Sequence, residues 1–378
     1  MMTSTDPAEP LTAAHVLQAA FPPLRQPEVA LTTCERAVHV IPNGAEPRWI
    51  ILGDPAKALP VLRSWRPWNL TSRVQWSAVL FAASVKMLPR LPGVSNSTAG
   101  IDISYWQRNL AGFSERWAAV IHLGSPSHTR KAILFFLGED HSINAVAKVP
   151  LAPLAAQAIL NEAAILQRIK QIVHLPRILF QDSDRGVAAQ SWLDGKPVSR
   201  GFSPAHMDLL SLLANPGSTV RVSDFKAEVA AQLDQHDLPF DRPVLAQALE
   251  LLNFDEPLQG FVEHRDFAPW NLKRFPDGSL GLLDWEWAAP QSLPWQDICR
   301  FFYNQDALFK GDGRVWETLT GNRLLQRYRQ RFAIPPEALP ALTMHYLLRV
   351  ISMDWQSGNT RVAQCTFEQI KRLVGRYR

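Results

Sequence analysis

One segment of this chain gathers polar residues whose types and spacing suit phosphoryl transfer to a hydroxyl group. The segment VEHRDFAPWN, residues 262–271, interleaves Asp266 and Asn271 with large apolar residues, which predicts a loop held against a core. A carboxylate near a metal–phosphate centre can accept a hydrogen bond from an incoming hydroxyl and orient it. We therefore predict that Asp266 is the catalytic residue and that His264 is a structural brace for the loop.

The residues after Asn271 predict a hairpin that brings oxygen ligands together. The run NLKRFPDGSLGLLDW is typical of strand, turn and strand, with Asp277-Gly278 as a strong turn signal. A two-residue loop there places Asn271 directly opposite Asp284, with Cβ atoms about 5 Å apart, whereas a three-residue loop would shift this register. Amide and carboxylate oxygens suit Mg²⁺. We predict Asn271 and Asp284 as metal ligands, and Glu286, on the same side, as a supporting residue or a ligand of a second metal.

A lysine that suits nucleotide phosphates occurs in an apolar strand, AVAKV. Lys148 is costly to bury there unless its ammonium group is paired. On the helix that follows, Ile159, Glu162, Leu166 and Ile169 share one face, so an acid interrupts an apolar stripe. We predict that Glu162 pairs with Lys148 and holds it toward the phosphates. The alternative is that Lys148 lies on an edge strand and Glu162 at the solvent border.

Two further segments are predicted to contact the nucleotide. The turn after Gly124 has one glycine rather than the three of GxGxxG, and Ser125 and Ser127 with the backbone amides are its candidate phosphate ligands. An ordinary polar hairpin is the alternative at this turn. The connector AAQSWLDGKP is predicted to bind adenine through backbone groups from Ser191 to Leu193.

Each candidate in the helical part also has an ordinary structural role open to it. Asp266 alone fits a turn cap, Asn271 a turn residue and Asp284 a strand-end cap. The combined pattern is H-x-D-x-x-x-x-N, followed by a hairpin that ends in an acid. This combination favours the catalytic interpretation over the single roles.

The elements that must position these residues follow a simple order along the chain. Residues 114–190 carry strand signals around one helix, and the pattern from Ser203 onward is mostly helical. The range 88–100 is predicted as a break. The earlier predicted elements are strands at 36–41 and 48–52 and helices at 55–65 and 72–88. We predict an α+β chain with an N-terminal α/β extension of unknown role (1–112), a small β-rich lobe (113–193) and a larger helical lobe (194–378).

Composition narrows the class of protein. The 378 residues carry a formal net charge of +4, with no long run of basic residues, so nucleic acid is not an expected partner. Cys34, Cys299 and Cys365 are far apart and show no zinc or disulfide spacing. The N-terminus lacks a signal-peptide pattern, and the longest apolar run, 77–85, is too short to span a bilayer. We expect a soluble, cytoplasmic protein with no membrane span and no evident protein partner.

The sequence resembles the aminoglycoside phosphotransferase and choline kinase family, within the protein-kinase-like fold. The resemblance covers about residues 115–335 and is carried by AVAKV, NEAAILQRI, QSWLDG, EHRDFAPWN, LLDWE and LPWQDICRFF. It implies a bilobal fold that binds a nucleotide and a small-molecule acceptor. The roles that it implies are a catalytic base or hydroxyl-orienting residue at Asp266, Mg²⁺ ligands at Asn271 and Asp284, a phosphate-binding lysine at Lys148 with its partner Glu162, and a loop brace at Asp297.

Two departures from the family pattern affect the predicted substrate. Arg265 stands where the family often has glycine, which gives an HRD run similar to that of protein kinases. After Asp284 the chain continues WEW rather than FG, with no activation segment at the expected distance, which favours the small-molecule branch.

The predicted function is Mg²⁺-dependent transfer of a phosphoryl group from ATP, or from GTP, to a hydroxyl of a sugar, amino sugar or amino alcohol. The net basic chain and its C-terminal helices, which are not acid-rich, make polycationic antibiotics a less favoured acceptor. A second hypothesis is a catalytically weak, kinase-like module that binds a nucleotide or a protein, favoured by the single-glycine phosphate loop. A protein kinase is disfavoured by the missing activation segment.

Overall fold

The chain forms two compact units. The computed structural model describes residues 11–23, 33–42, 46–65, 67, 70–114, 116–124 and 126–377. The first unit comprises the described residues up to Gln167 together with Pro176–Trp192, and the second comprises Arg168–Leu175 and the chain from Leu193 onward.

An antiparallel sheet forms the centre of the first unit. Its eight strands are β1 Thr33–Ile41, β2 Trp49–Leu52, β3 Ser95–Asp102, β4 Ala118–Leu123, β5 Lys131–Leu137, β6 Ile143–Pro150, β7 Ile178–Asp182 and β8 Val187–Gln190. They lie in the order β3-β1-β2-β4-β5-β6-β8-β7, and every neighbouring pair is antiparallel. The α-helices described in this unit are α1 Ala13–Ala20, α2 Leu59–Ser64, α3 Leu70–Ser84, α4 Ser104–Asn109 and α5 Ala155–Arg168. Short 3₁₀ turns form at Pro55–Ala58 and Leu88–Arg90.

Helices cover both faces of this sheet. Successive residues of a strand point to opposite faces, and in β4 Ile121 packs in one core with Trp106 of α4, whereas Val120 packs in the other with Trp76 of α3. Two covered faces explain why the strand segments are almost continuously apolar in sequence.

Strand β3 corrects one prediction, because most of it lies in the range 88–100 that was expected to be a break. β3 pairs only with β1, at the edge of the sheet, and most of its side chains are exposed. An exposed edge strand is held mainly by its backbone hydrogen bonds, so SNSTAGID carries no apolar alternation to reveal it. The predicted strands at 36–41 and 48–52 agree with β1 and β2. Through the β2–β4 pairing, strands from residues 1–112 and from 113–193 share one sheet.

The second unit is mostly helical. Its α-helices are α6 Pro204–Ser211, α7 Val222–Asp234, α8 Arg242–Glu250, α9 Gln296–Phe309, α10 Val315–Gly321, α11 Arg323–Arg331, α12 Ala338–Gln356 and α13 Thr360–Arg376. Its strands are β9 Lys196–Pro197, β10 Ala214–Val220, β11 Leu258–Glu263, β12 Leu272–Arg274, β13 Leu280–Leu282 and β14 Ala289–Ser292, with a 3₁₀ turn at Pro269–Asn271. They form two small sheets, β10-β11-β14 and β13-β12-β9. The loop with Asp266 therefore follows β11 and leads into the β12–β13 hairpin.

The fold class is α+β, as predicted. The order β4-β5-β6-α5-β7-β8, followed by a mostly helical unit, is the β-rich part with one helix and the helical part that the sequence indicates. This order also fits the protein-kinase-like fold. No helix in the described ranges has the length and apolar composition needed to cross a bilayer.

Candidate active site

One buried carboxylate holds the start of the loop that contains Asp266. Asp297, at the start of α9, accepts the backbone N–H of His264 on Oδ2 at 2.8 Å and that of Arg265 on Oδ1 at 2.9 Å. Arg265 has a left-handed backbone, with φ +66°, which a long side chain adopts only when the surroundings hold it there. Consecutive N–H groups bound to one carboxylate supply that hold, so Asp297 braces the loop.

His264 connects the loop to the end of the hairpin. It is fully buried, and its ring packs edge-on against Trp285 at 4.7 Å between centroids. Nδ1 lies 3.2 Å from the backbone N–H of Asp266, and Nε2 lies 2.9 Å from the carbonyl oxygen of Leu283. Nδ1 must therefore accept and Nε2 must donate, which identifies a neutral ring protonated on Nε2. His264 is thus a brace, because neither nitrogen is available to a substrate.

The Asp266 carboxylate is held from both sides. Asn271 Nδ2 donates to Asp266 Oδ2 at 2.8 Å and to its backbone oxygen at 2.9 Å. Arg300 donates from Nε at 3.1 Å and from Nη2 at 2.8 Å to Asp266 Oδ1. The side chain of Asp266 keeps 21% of its surface exposed. Because each carboxylate oxygen has more than one acceptor site, the fixed and partly exposed Asp266 can still accept a hydroxyl proton.

The hairpin has a three-residue loop, which corrects the predicted register. Phe275 donates its N–H to the Ser279 oxygen at 3.0 Å, and Gly278 between them has φ +84°. Leu272 therefore pairs with Leu282, one residue off the predicted alignment. Pro276 before Asp-Gly explains the longer loop, because proline favours the first central position of a type I turn, which a left-handed glycine then completes.

The shift changes the position of Asp284. Leu283, rather than Asp284, lies opposite Asn271, and its N–H donates to the backbone carbonyl oxygen of Asn271 at 2.9 Å. Strand β13 ends at Leu282, and Asp284 has a left-handed backbone with φ +65°. The prediction that Asn271 and Asp284 face each other as a cross-strand pair is therefore wrong. The argument that Glu286 shares a strand face with Asp284 also fails, because both residues lie beyond the strand.

The chemistry of the donor set still fits Mg²⁺. Asn271 turns its amide nitrogen toward Asp266, which leaves its Oδ1 available as a ligand, and Asp284 follows the residue that Asn271 binds. Mg²⁺ commonly uses one or two protein oxygens together with substrate phosphates. No cluster of three or more His, Cys, Asp or Glu side chains suited to a metal occurs in the described ranges. Asn271, Asp284 and Glu286 remain predicted ligands.

In the first unit, Lys148 and Glu162 form a buried ion pair. Lys148 Nζ lies 2.6 Å from Glu162 Oε2, and the side chains keep 7% and 3% of their surface exposed. Lys148 pairs with Ile133 of β5 and with Ala188 of β8, so it lies on an internal strand. These positions exclude the alternative in which Lys148 lies on an edge strand and Glu162 lies at the solvent border. Phosphate binding by Lys148 remains a prediction.

The other residues predicted to contact the nucleotide give no evidence for or against that role. Ser125 lies outside the described residues, whereas Ser127 is exposed and lies 3.4 Å from the Thr129 hydroxyl oxygen. Ser191 exchanges bonds with Arg177, donating its backbone N–H at 2.8 Å and accepting on its hydroxyl oxygen at 2.9 Å. The Leu193 carbonyl oxygen accepts the Gly195 N–H at 3.2 Å. The backbone N–H of Ser191 is thus already used, and contact with adenine stays a prediction.

A buried ion pair below the loop was not found from the sequence. Glu263, the last residue of β11, binds both terminal nitrogens of Arg349 on α12, and it accepts bonds from Ser292 at 2.7 Å and Arg265 at 3.3 Å. Burial by itself raises the pKa of Glu263, but the charges of Arg349 and Arg265 and the Ser292 hydroxyl bond together lower it below the usual value. Glu263 is therefore ionised.

Near the loop with Asp266, two further carboxyl groups lie in surroundings that disfavour their ionised form. Burial and then the neighbouring Glu263 raise the pKa of Asp297 to about 7, against the two backbone N–H donors. Burial raises the pKa of Asp354 on α12 to about 6; Arg300 opposes the shift and Asp266 adds to it. Asp354 Oδ2 is buried and has no hydrogen-bond partner among the described residues. Ionised Asp354 therefore costs stability at neutral pH.

Replacing Asp354 with asparagine is expected to stabilise the protein at pH 7 to 8. A carboxyl group whose pKa is higher in the folded than in the unfolded protein stabilises the fold fully below the unfolded pKa of about 4. This stabilisation is lost as the pH rises through the folded pKa of about 6. The neutral amide removes that loss, so we expect melting temperature to rise by a few degrees at pH 7.5 and to change little at pH 4. Melting curves of both proteins across this pH range provide the test, and equal pH profiles would contradict the assignment.

Comparisons with known proteins give only distant likenesses. No protein-family model and no curated protein matches the chain. Among solved structures, a thermostable mutant of aminoglycoside phosphotransferase APH(4)-Ia in ternary complex with AMP-PNP and hygromycin B is 12% identical, with a TM-score of 0.47, covering 72% of this chain and 96% of that chain.

Two other similar structures are of enzymes whose names indicate different small-molecule substrates. Choline kinase LicA from Streptococcus pneumoniae is 12% identical, with a TM-score of 0.44, covering 71% of this chain and 92% of that one. Macrolide 2'-phosphotransferase MphH from Brachybacterium faecium is 13% identical, with a TM-score of 0.45, covering 66% and 91%. At these identities, site assignments rest on the geometry of this chain's own residues.

Proposed function

We propose that this protein is an ATP- and Mg²⁺-dependent phosphotransferase that acts on a hydroxyl of a small molecule. One observation carries the proposal: the partly exposed Asp266 carboxylate is fixed between the Asn271 amide and the Arg300 guanidinium. A turn cap would need neither contact. A carboxylate held in this way is suited to orienting an acceptor hydroxyl, as phosphoryl transfer requires.

The proposed reaction assigns one role to each residue. The acceptor hydroxyl donates its hydrogen bond to Asp266, and its oxygen attacks the γ-phosphorus of ATP. The bond from that phosphorus to the β–γ bridging oxygen breaks, ADP leaves, and Asp266 takes the hydroxyl proton. Lys148, oriented by Glu162, neutralises charge on phosphate oxygens. Asn271 and Asp284 would hold Mg²⁺, which supplies further charge neutralisation when bound.

The chemical class of the acceptor follows from charge. The chain has 39 basic and 35 acidic residues, and its C-terminal helices α11 and α13 carry several arginines. A polycation is therefore a poor general fit, and we propose a sugar, amino sugar or amino alcohol acceptor.

The described cysteines form no disulfide, which is consistent with a reducing compartment, so we propose a cytoplasmic location.

A second candidate function is a kinase-like module that binds a nucleotide without efficient turnover. The observation that favours it is the turn between β4 and β5, which has one glycine, Gly124, rather than a glycine-rich phosphate loop. Both candidates predict nucleotide binding, so only turnover separates them.

The nucleotide–metal site is tested by thermal stability with ATP, ADP and GTP, each with and without Mg²⁺. A ligand that binds only the folded state at about 100 times its Kd adds about 2.7 kcal/mol, which is several degrees in melting temperature. We expect a Mg²⁺-dependent rise that Asp284→Ala removes. Asp208→Ala is the matched control, because Asp208 is an exposed carboxylate on α6 outside the proposed site. No rise with any nucleotide at millimolar concentration would contradict both candidate functions.

A further inference from the structure

The basic C-terminal helix lines a cavity in the second unit. The cavity measures about 280 Å³ and lies among the second half of α9, the start of α10 and the last turns of α13. Its lining residues include Tyr303, Arg314, Trp316, Glu317, Arg372 and Arg376. None of these residues has a role in the proposed phosphoryl transfer, although α9 also carries Asp297 and Arg300.

The backbone at Gly313 accommodates one of these guanidinium groups. Arg372 Nη1 donates to the Gly313 oxygen at 2.6 Å, and Gly313 has φ +71°. A Cβ at this position would lie 2.2 Å from Arg372 Nη1, so any other residue would displace the guanidinium. Arg376 is held in turn by Glu317, with Nη2 to Oε1 at 2.5 Å. A guanidinium has five N–H donors, and each of these contacts uses one.

The lining of the cavity has an excess of positive charge. Three arginines and one glutamate line it, which is a formal net charge of +2. The neighbouring Asp306 carboxylate does not line the cavity; it accepts the Gly313 N–H at 3.1 Å and the Gln369 amide at 3.3 Å. The buried aromatic rings of Tyr303 and Trp316 form apolar walls. Such a cavity suits a ligand with a dianionic group and a small apolar or sugar-like body.

We propose that this cavity binds a small phosphomonoester. A phosphate monoester carries about −1.5 to −2 charge at pH 7, which matches the +2 of the lining, and its oxygens accept several N–H donors at once. Guanidinium groups provide planar donor pairs that fit phosphate geometry better than a single ammonium does. A monocarboxylate would satisfy only half of this charge. The site is independent of Asp266 and of the nucleotide proposed above.

The test is calorimetric titration of the full-length protein with inorganic phosphate, glucose 6-phosphate, glucose and acetate. We expect both phosphate probes to bind, acetate to bind at least tenfold more weakly, and glucose not to bind. Arg372→Gln should weaken phosphate binding at least tenfold. Lys371→Gln is the matched control, because Lys371 is an exposed cation on the same helix that pairs with Glu368 at 2.6 Å.

Two more variants keep the test decisive. Arg314→Gln removes an exposed guanidinium from the cavity, so it covers the case in which Arg372→Gln does not fold. Lys148→Met combined with Glu162→Gln removes the proposed phosphate-binding lysine of the first unit without leaving a buried unpaired charge, and it should leave phosphate binding at the cavity unchanged. Equal binding in all arginine variants, binding lost only in this double variant, or no phosphate binding at millimolar concentration would each overturn the proposal. None of these outcomes depends on the Asp284-sensitive nucleotide effect, so the two proposals fail separately.

Discussion

Replacing Asp266 with asparagine is expected to reduce phosphoryl transfer by about 10²–10⁴-fold while nucleotide binding is kept, because general-base assistance contributes on this order. The amide has nearly the same shape as the carboxylate, but its oxygen is a poor base. It also cannot form the charge-assisted bonds that Arg300 makes to Oδ1 in the native protein. The acceptor hydroxyl would then be held less firmly and would keep its proton.

The measurement is ADP formation from ATP and Mg²⁺, first with water as the acceptor and then with a panel of sugars, amino sugars and amino alcohols. The Mg²⁺-dependent nucleotide rise in melting temperature should persist in Asp266→Asn, which separates catalysis from binding. Asp354→Asn is the matched control, because it makes the same carboxyl-to-amide change beside Arg300 and Asp266. We expect its turnover to stay within a few-fold of the native value. Equal turnover in the native protein and Asp266→Asn would remove Asp266 from the proposed reaction.

Arg300 provides an intermediate case. Its contact with Asp266 is through Oδ1, while Asn271 Nδ2 holds Oδ2. Loss of the guanidinium should therefore loosen the carboxylate without displacing it. We infer that Arg300 is a positioning residue, whose loss reduces turnover less than the loss of Asp266 itself.

Sequence patterns anticipated contacts within or between neighbouring elements. Lys148 and Glu162 are 14 residues apart, and an apolar strand followed by an interrupted helical stripe was enough to predict their ion pair. The combination of Asp266 and Asn271 was visible for the same reason, since both lie in one short loop. Local patterns carry this information because burial of a charge and helical periodicity are properties of short segments.

Contacts that depend on exact alignment or on distant segments were not predictable in the same way. One additional loop residue, Pro276, shifted the hairpin and moved Asp284 out of the cross-strand position opposite Asn271. Arg300 was not predicted, although it lies three residues after Asp297 on α9 and helical spacing places both residues on one side of the helix. Asp354 gave no such signal, because it comes from α12, which packs back onto the loop only in the folded chain.

Replacing Arg349 with methionine is expected to lower the free energy of unfolding by about 3–5 kcal/mol, because it leaves a buried carboxylate without its partner. Arg349 and Glu263 keep only 7% and 2% of their side-chain surface exposed, and the pair ties α12 to the last residue of β11. The loop with Asp266 begins at the next residue, so we expect turnover to fall together with stability. Glu263→Gln should have a similar effect, since it leaves the arginine unpaired.

The double variant, Glu263→Gln with Arg349→Met, shows whether the loss comes from the unpaired charge. It buries neither charge, so its cost should be clearly smaller than the sum of the two single costs. Arg327→Met is the matched control, because Arg327 is exposed on α11, and its effect should stay within about 0.5 kcal/mol. Urea unfolding followed by tryptophan fluorescence measures the stability of each variant.

The dependence of stability on pH gives an independent check. The lowered pKa of Glu263 means that the stability contributed by the pair is present above pH 4.5 and lost as pH falls below it. Single variants as stable as the native protein would show that this ion pair does not hold the loop with Asp266 in place.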